Sequence, residues 1–217
     1  MRALIFANGD AAADIEHWMQ PDALVIAADG GTHNALQAGV TPQIVIGDLD
    51  SLPAEMRVDL ETRGVQFIAY SPRKDETDLE LALRYALEKG ASEIAIFSAL
   101  GGRLDQSLAN ILLLALPELQ HLPAYIVDTN QTLRVVANGG KAHIKGRIGD
   151  TLSLIALGGD ANGVSIRGCE YPLDNARLPF AHTLGISNVL SETQARVSVA
   201  KGIVLLIHIQ SVTQEGG

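Results

Sequence analysis

The stretch LVIAADGGTHNALQAGVTPQIVIGDLDS, residues 24–51, decides the fold. An apolar run over 24–28 ends on Asp29-Gly30-Gly31. A helix is predicted over 32–38, and a second apolar run over 44–46 ends on Gly47-Asp48-Leu49-Asp50-Ser51. This is a strand–helix–strand unit whose strands both empty into aspartates. The same rhythm extends outward. Strands are predicted over 3–7, 66–69, 93–98 and 124–127, and helices over 12–19, 53–63, 78–89 and 104–116. Alternation of this kind implies a mostly parallel sheet with helices on both faces. Two helices carry end signals. Thr77 with Glu80 three positions on makes a capping box, and Gly90 stands past the other end. In the second, Leu104, Leu108, Ile111, Leu112 and Ala115 recur on one stripe before Pro117.

The helical rhythm stops near residue 128. Val, Ile and Leu-rich runs follow at 132–136, 151–156, 163–167, 196–200 and 203–209. Asn138-Gly139-Gly140, Gly158-Gly159, Asn162-Gly163 and Lys201-Gly202 separate them as turns. The fold class expected is therefore α/β: an N-terminal, mostly parallel α/β sheet domain over 1–128, followed by a C-terminal antiparallel β-sandwich domain over 129–217.

Composition narrows the function classes. With Lys+Arg 16 against Asp+Glu 25, the net charge of the 217 residues is −9. A nucleic-acid coat needs a basic face, so no nucleic-acid partner is expected. A small phosphorylated ligand needs only a few local cations or a bridging metal. The lone Cys169 excludes an intrachain disulfide and a cysteine-cluster zinc site. The N-terminal run is broken at Asn8-Gly9-Asp10 and reads as strand and turn rather than signal peptide. The greasiest run, 111–116, falls far short of the ~20 residues of a membrane span. A cytoplasmic protein without a membrane partner is expected.

Ligands of an open α/β sheet bind beyond the carboxyl ends of its strands. Four successive strands here deliver carboxylates to that edge, among them Asp29, Asp48, Asp50, Asp78 and Asp105. Asp48 and Asp50 are the sharpest pair. Two apart in an extended segment, they point to one side while Leu49 points to the other. Paired carboxylates repel unless a cation compensates. Their hard oxygens suit Mg²⁺, which takes its remaining ligands from water and substrate phosphate. Aspartates are also common in plain turns, and Ser51 is an alternative cap for the helix after Pro53. Gly30-Gly31 and Gly101-Gly102 each stand between a strand and a helix, where backbone can approach phosphate oxygens. A plain turn is the competing reading of either pair. Arg103 and Arg73-Lys74 can meet phosphate charge or stand as solvated cations. The histidines show no metal spacing; His208 lies inside an apolar strand.

In order, ADGG (28–31), GDLDS (47–51), KDETDLE (74–80), GGRLDQ (101–106) and Ser187-Asn188 in a β-rich tail resemble the thiamine pyrophosphokinase family. The resemblance implies transfer of diphosphate from ATP to the hydroxyethyl group of thiamine, giving thiamine diphosphate and AMP. It implies an N-terminal domain for ATP and Mg²⁺, a C-terminal β-sandwich that contributes to the thiamine site, and a homodimer with sites at the subunit interface. Carried over by position, Asp48, Asp50 and Asp78 would hold Mg²⁺, with Asp29 beside them. Gly30, Gly31, Lys74, Gly101, Gly102, Arg103 and Gln106 would serve ATP, with Arg103, Asp105 and Gln106 lining the nucleotide and pyrimidine side. Asp78 or Asp105 would orient or deprotonate the hydroxyl. Ser187 and Asn188 would belong to thiamine, and Tyr171 stands where some relatives carry a stacking Trp. Two other functions fit the carboxylate edge: a different Mg²⁺-dependent nucleotide phosphotransferase or hydrolase, and a non-catalytic nucleotide or thiamine binder.

Overall fold

The computed structural model describes residues 1–11 and 15–211. The chain divides into two compact units between Thr129 and Asn130.

The first unit is built on strands β1 (Arg2–Phe6), β2 (Leu24–Ala28), β3 (Ile44–Gly47), β4 (Gln66–Ala69), β5 (Glu93–Phe97) and β6 (Ala124–Asp128). They form a parallel sheet in the order β4-β3-β2-β1-β5-β6. The connecting helices are α1 (Gly31–Gln37), α2 (Ala54–Thr62), α3 (Asp78–Glu88) and α4 (Leu104–Leu113). The central strands are apolar on both faces because both faces are covered. Leu4, Phe6, Val25, Ala95 and Phe97 pack with Ala35 of α1, and Ala27 and Val45 with Leu60 of α2. On the alternate residues, Ile5, Ile26, Ile46 and Ile96 are also fully buried. Helix α3 packs against β1, β2 and β3.

The capping signals of α3 operate as expected. Thr77 Oγ1 accepts from the Glu80 N–H at 3.2 Å, and Gly90 takes the left-handed φ of +79° just past the helix. Two expectations differ. Of the helix predicted over 12–19, residues 12–14 lie outside the described residues and 16–18 form a turn. Along α4 the leucine stripe does not face a core: Leu104, Leu108 and Leu112 are 72%, 52% and 57% exposed, and Asn110 is the helix's buried residue. Helical periodicity finds an apolar face but not what covers it.

The second unit is antiparallel. Its strands are β7 (Gln131–Ala137), β8 (Lys141–Lys145), β9 (Thr151–Arg167), β10 (Leu173–Leu178), β11 (Asn188–Val189), β12 (Gln194–Ser198) and β13 (Lys201–Ile209). Strand β13 lies between β7 and β9, and β12 between β9 and β8. The turns expected at Gly158-Gly159 and Asn162-Gly163 do not end a strand. The 17-residue β9 runs through them. Gly158 and Gly163 take left-handed φ values of +67° and +65° inside it, and the register with β13 shifts between Lys201 and Ile203. Glycine here bends a strand instead of reversing it. Strand β8 escaped the sequence reading because only Ala142 and Ile144 point inward, between exposed Lys141, His143 and Lys145.

Buried Asp150 ties this unit together. It accepts hydrogen bonds from the Arg147 N–H at 2.8 Å and from the Ser211 N–H and hydroxyl at 2.8 and 2.9 Å, and pairs with His208 Nε2 at 2.9 Å. Burial pushes its carboxyl up. The donors, the Ser211 and Arg147 N–H groups first and then His208, outweigh that and hold it at about 2. A depressed carboxyl stabilises the fold above its unfolded value and ceases to do so as pH falls through the folded one. Acid titration should therefore remove about 2 kcal/mol between roughly pH 4 and pH 2. Equilibrium denaturation across that range checks this: Asp150→Asn should be less stable than the parent at pH 6 and should lose less on acidification.

Candidate active site

The strand ends of the first unit open on a cavity of about 540 Å³. Strand β2 delivers Asp29, which is buried and sits at φ +42°. Strand β3 delivers Asp48 and Asp50 around Leu49, whose side chain packs with Val45 and Leu60. Leu49 takes a left-handed φ of +65°, so this segment turns instead of running extended as the sequence suggested, with Asp48 half-buried and Asp50 exposed. Gly47 is needed here, because a Cβ on it would stand 2.7 Å from the Asp29 Cβ. Carboxylate oxygens of Asp29, Asp48 and Asp50 all lie within 4.8 Å of one another. Asp29 Oδ1 is buried and has no hydrogen-bond partner. An unpartnered buried carboxylate oxygen on a residue clustered with two further carboxylates is costly unless a cation joins them. The donor set, three hard oxygens, fits Mg²⁺ with phosphate and water completing the shell.

Asp78, at the start of α3, lines the same cavity but is engaged differently. Lys74 Nζ holds its Oδ1 at 2.7 Å. Burial raises the Asp78 carboxyl above its ordinary value, Lys74 opposes this, and the charges of Asp29 and Asp48 add to the rise. Among the described residues the three-carboxylate group thus contains Asp29, where the sequence reading placed Asp78 beside Asp48 and Asp50. Gly30, Gly101, Gly102, Arg103 and Gln106 also line the cavity. Gly31 does not line it and is the buried first residue of α1. Asp105 is exposed, outside the lining, and paired with Arg103. That pairing lowers the Asp105 carboxyl and raises the Arg103 guanidinium.

The sequence reading missed several residues that shape the cavity. Asn8 lines it and presses on Gly30, where a Cβ would meet its side-chain amide at 2.5 Å. Asn34 Nδ2 donates to the Ala7 and Gly9 carbonyls at 2.9 and 3.1 Å, and Asn110 Nδ2 to the Ala99 carbonyl at 2.8 Å. These amides pin the loops after β1 and β5. Asn8-Gly9-Asp10 follows a strand just as Asp29-Gly30-Gly31 does, and that parallel was the available signal.

In the second unit, Asn188 meets Tyr171, with Ser187 beside Asn188 in the chain. Asn188 is buried and bonded to the Tyr171 backbone. Ser187 sits at φ +59° with its N–H on Ser153 Oγ at 3.0 Å. The Tyr171 ring is exposed. Cys169 is buried, and desolvation followed by the charge of Glu192 pushes its thiol up to about 11, which disfavours the nucleophilic thiolate.

Two family models match this chain. "Thiamin pyrophosphokinase, catalytic domain" matches residues 15–126, and "Thiamin pyrophosphokinase, vitamin B1 binding domain" matches residues 141–204. The chain belongs to the thiamine pyrophosphokinase family. A thiamine pyrophosphokinase of Bacillus subtilis is 33% identical over 89% of this chain and 91% of its own. The solved structure of the Bacillus subtilis enzyme superposes with a TM-score of 0.87 at 30% identity, covering 98% of this chain and 100% of that one. The thiamin pyrophosphokinase of Geobacillus thermodenitrificans superposes with a TM-score of 0.85 at 30% identity, over 98% and 99%. The mixed α/β fold expected from the sequence is the fold these thiamine pyrophosphokinases share. No helix among the described residues is long and apolar enough to cross a membrane.

Proposed function

We propose that this chain is a thiamine diphosphokinase: it transfers diphosphate from ATP to the hydroxyethyl group of thiamine, releasing AMP. Family membership supplies the reaction. The convergence of Asp29, Asp48 and Asp50 on one point, with a buried Asp29 oxygen left unpartnered, supports a working site over an idle binder. The division of labour proposed is an ATP and Mg²⁺ domain over 1–128 and a thiamine-binding sandwich over 129–217. The sandwich reading is supported by β9, which pairs with β13 along one part and with β12 and β10 along another around a single apolar core.

Asp29, Asp48 and Asp50 would hold Mg²⁺. When bound, Mg²⁺ supplies neutralisation and orientation of the triphosphate charge. The chain's own residues do the rest. Gly30, Gly101 and Gly102 let backbone approach the phosphates, and Lys74 and Arg103 add positive charge at the cavity wall. The thiamine hydroxyl oxygen forms the new bond to the β-phosphorus as the bond to the AMP oxygen breaks. Asp78 is the carboxylate placed to orient the hydroxyl and take its proton. It lines the cavity, whereas Asp105 lies outside the lining and is paired with Arg103. Catalysis of this step is positioning and charge neutralisation. Product identity tests the proposal: AMP and thiamine diphosphate are expected from ATP, Mg²⁺ and thiamine.

Tyr171 is proposed as the platform for thiamine, with Ser187 beside it. An aromatic face attracts a cationic ring by about 0.5–2 kcal/mol. Tyr171→Ala should therefore raise the thiamine KM roughly threefold to thirtyfold and leave the ATP KM near its parent value. A variant that melts lower but keeps its thiamine KM would place Tyr171 in packing alone. A homodimer is proposed as the working form, supported by the exposed Leu104, Leu108 and Leu112 stripe on α4. A cytoplasmic location is proposed too, in keeping with the single, buried cysteine.

A further inference from the structure

Asn188 opens β11, and its side chain makes three hydrogen bonds in a buried setting. Oδ1 accepts from the Tyr171 N–H at 3.0 Å and from its own neighbour's, Val189, at 2.9 Å. Nδ2 donates to the Tyr171 carbonyl at 2.7 Å. Tyr171 lies outside every strand, so this amide stands in for the strand partner its backbone lacks. The residues before it are pinned as well. The Glu170 N–H donates to the Val189 carbonyl at 2.8 Å, the Ser191 N–H to the Gly168 carbonyl at 3.1 Å, and Cys169 bridges Leu190. Gly168 makes the entry possible, at φ +80° and with no room for a Cβ, which would stand 2.2 Å from the Gln194 carbonyl oxygen. The result is a backbone pinned at both polar groups of Tyr171, a residue 68% exposed to solvent. The backbone under the ring is therefore ordered during folding and not on ligand arrival, which is one way preorganisation raises affinity.

We propose that Asn188 is a positioning residue for thiamine. It acts through the Tyr171 backbone, holding the phenol ring ready for a flat cationic ring, and does not itself touch the substrate. This rests on Tyr171 being the thiamine platform. Buried amide groups whose polar atoms are already satisfied gain little by also binding a ligand, because they must first release a partner.

A double-mutant cycle separates the two ideas. Asn188→Asp retains the acceptor oxygens but loses the donor to the Tyr171 carbonyl, and Asn188→Ala loses all three bonds. Each is combined with Tyr171→Ala, and thermal melts confirm folding. Loss of one such hydrogen bond corresponds to a rise of about threefold to tenfold in the thiamine KM for Asn188→Asp. The ATP KM and kcat should stay within about twofold, since the change acts on ring placement alone. In the Tyr171→Ala background, Asn188→Asp should add nothing. If the two effects multiply, Asn188 binds thiamine by itself or acts elsewhere, and the proposal is overturned while the platform stands. If Tyr171→Ala leaves the thiamine KM unchanged, the platform is wrong and the proposal falls with it. Should Asn188→Asp prove unstable, Asn188→Ser, which keeps one acceptor and one donor, replaces it in the same cycle.

Discussion

Asn in place of Asp48 or Asp50 should cut turnover at least ~10²-fold with the fold intact, since even outer-shell changes at metal sites often cost 10–100-fold. Asn preserves shape and removes one negative charge. Asp50 is exposed and Asp48 half-buried, so neither substitution opens a cavity. Stability should move the other way. The oxygens of Asp29, Asp48 and Asp50 crowd within 4.8 Å, and like charges so close repel in the absence of a cation. Each variant should melt at or slightly above the parent in metal-free buffer and should gain less on adding Mg²⁺, because ligand stabilisation scales with affinity for the folded state. Turnover at saturating substrates, together with melting curves with and without Mg²⁺, checks both halves. Near-normal turnover of both variants at limiting Mg²⁺ removes these residues from the metal site.

Gly31→Ala should be the most destabilising small substitution in the first unit. A Cβ at Gly31 would stand 2.0 Å from the Phe6 carbonyl oxygen and 2.6 Å from its carbon. Both are backbone atoms of β1, so no side-chain rotation relieves the overlap, and α1 must shift from the sheet. Overpacking of this kind costs about 1–3 kcal/mol, with backbone clashes at the upper end. At that upper end, about 3 kcal/mol, Tm of a chain of this size falls by roughly 6–12 °C. Gly39→Ala is the matched comparison: φ is +79° but nothing lies within 4 Å of the new Cβ, so only the left-handed strain of about 1–2 kcal/mol applies. Equal melting temperatures for the two variants would show that α1 moves freely and that the β2–α1 turn is not held by this approach.

The two units were unequally legible. The inner strands β1, β2, β3 and β5 were readable because a parallel strand covered on both faces must be apolar throughout, and runs such as residues 24–28 satisfy that without ambiguity. The aspartates stood out because they end those runs. What sequence pattern could not supply was side-chain pairing across the cavity. The Lys74–Asp78 ion pair and the inclusion of Asp29 in the carboxylate group depend on how the ends of three separate elements meet. In the second unit the strands are edge-rich and bent, so period-2 patterns are short. Strand β10 (LDNARL) carries only three apolar residues, and its polar face hides it. Glycines read as chain reversals were bends in β9, since Gly-Gly marks a change of backbone direction without saying whether pairing resumes beyond it. The resemblance assigns Asn188 to the thiamine side, and the bonds of its amide to the Tyr171 backbone are a contact that no spacing in the sequence displays.

The most direct test of the central claim follows phosphorus. The protein is incubated with thiamine, Mg²⁺ and ATP labelled at either the β- or the γ-phosphate, and the products are separated. Attack at the β-phosphorus carries both phosphates across together, so either label should appear in thiamine diphosphate, with unlabelled AMP as the only nucleotide product. Label in thiamine monophosphate from the γ-position alone, with ADP formed alongside it, would contradict transfer at the β-phosphorus.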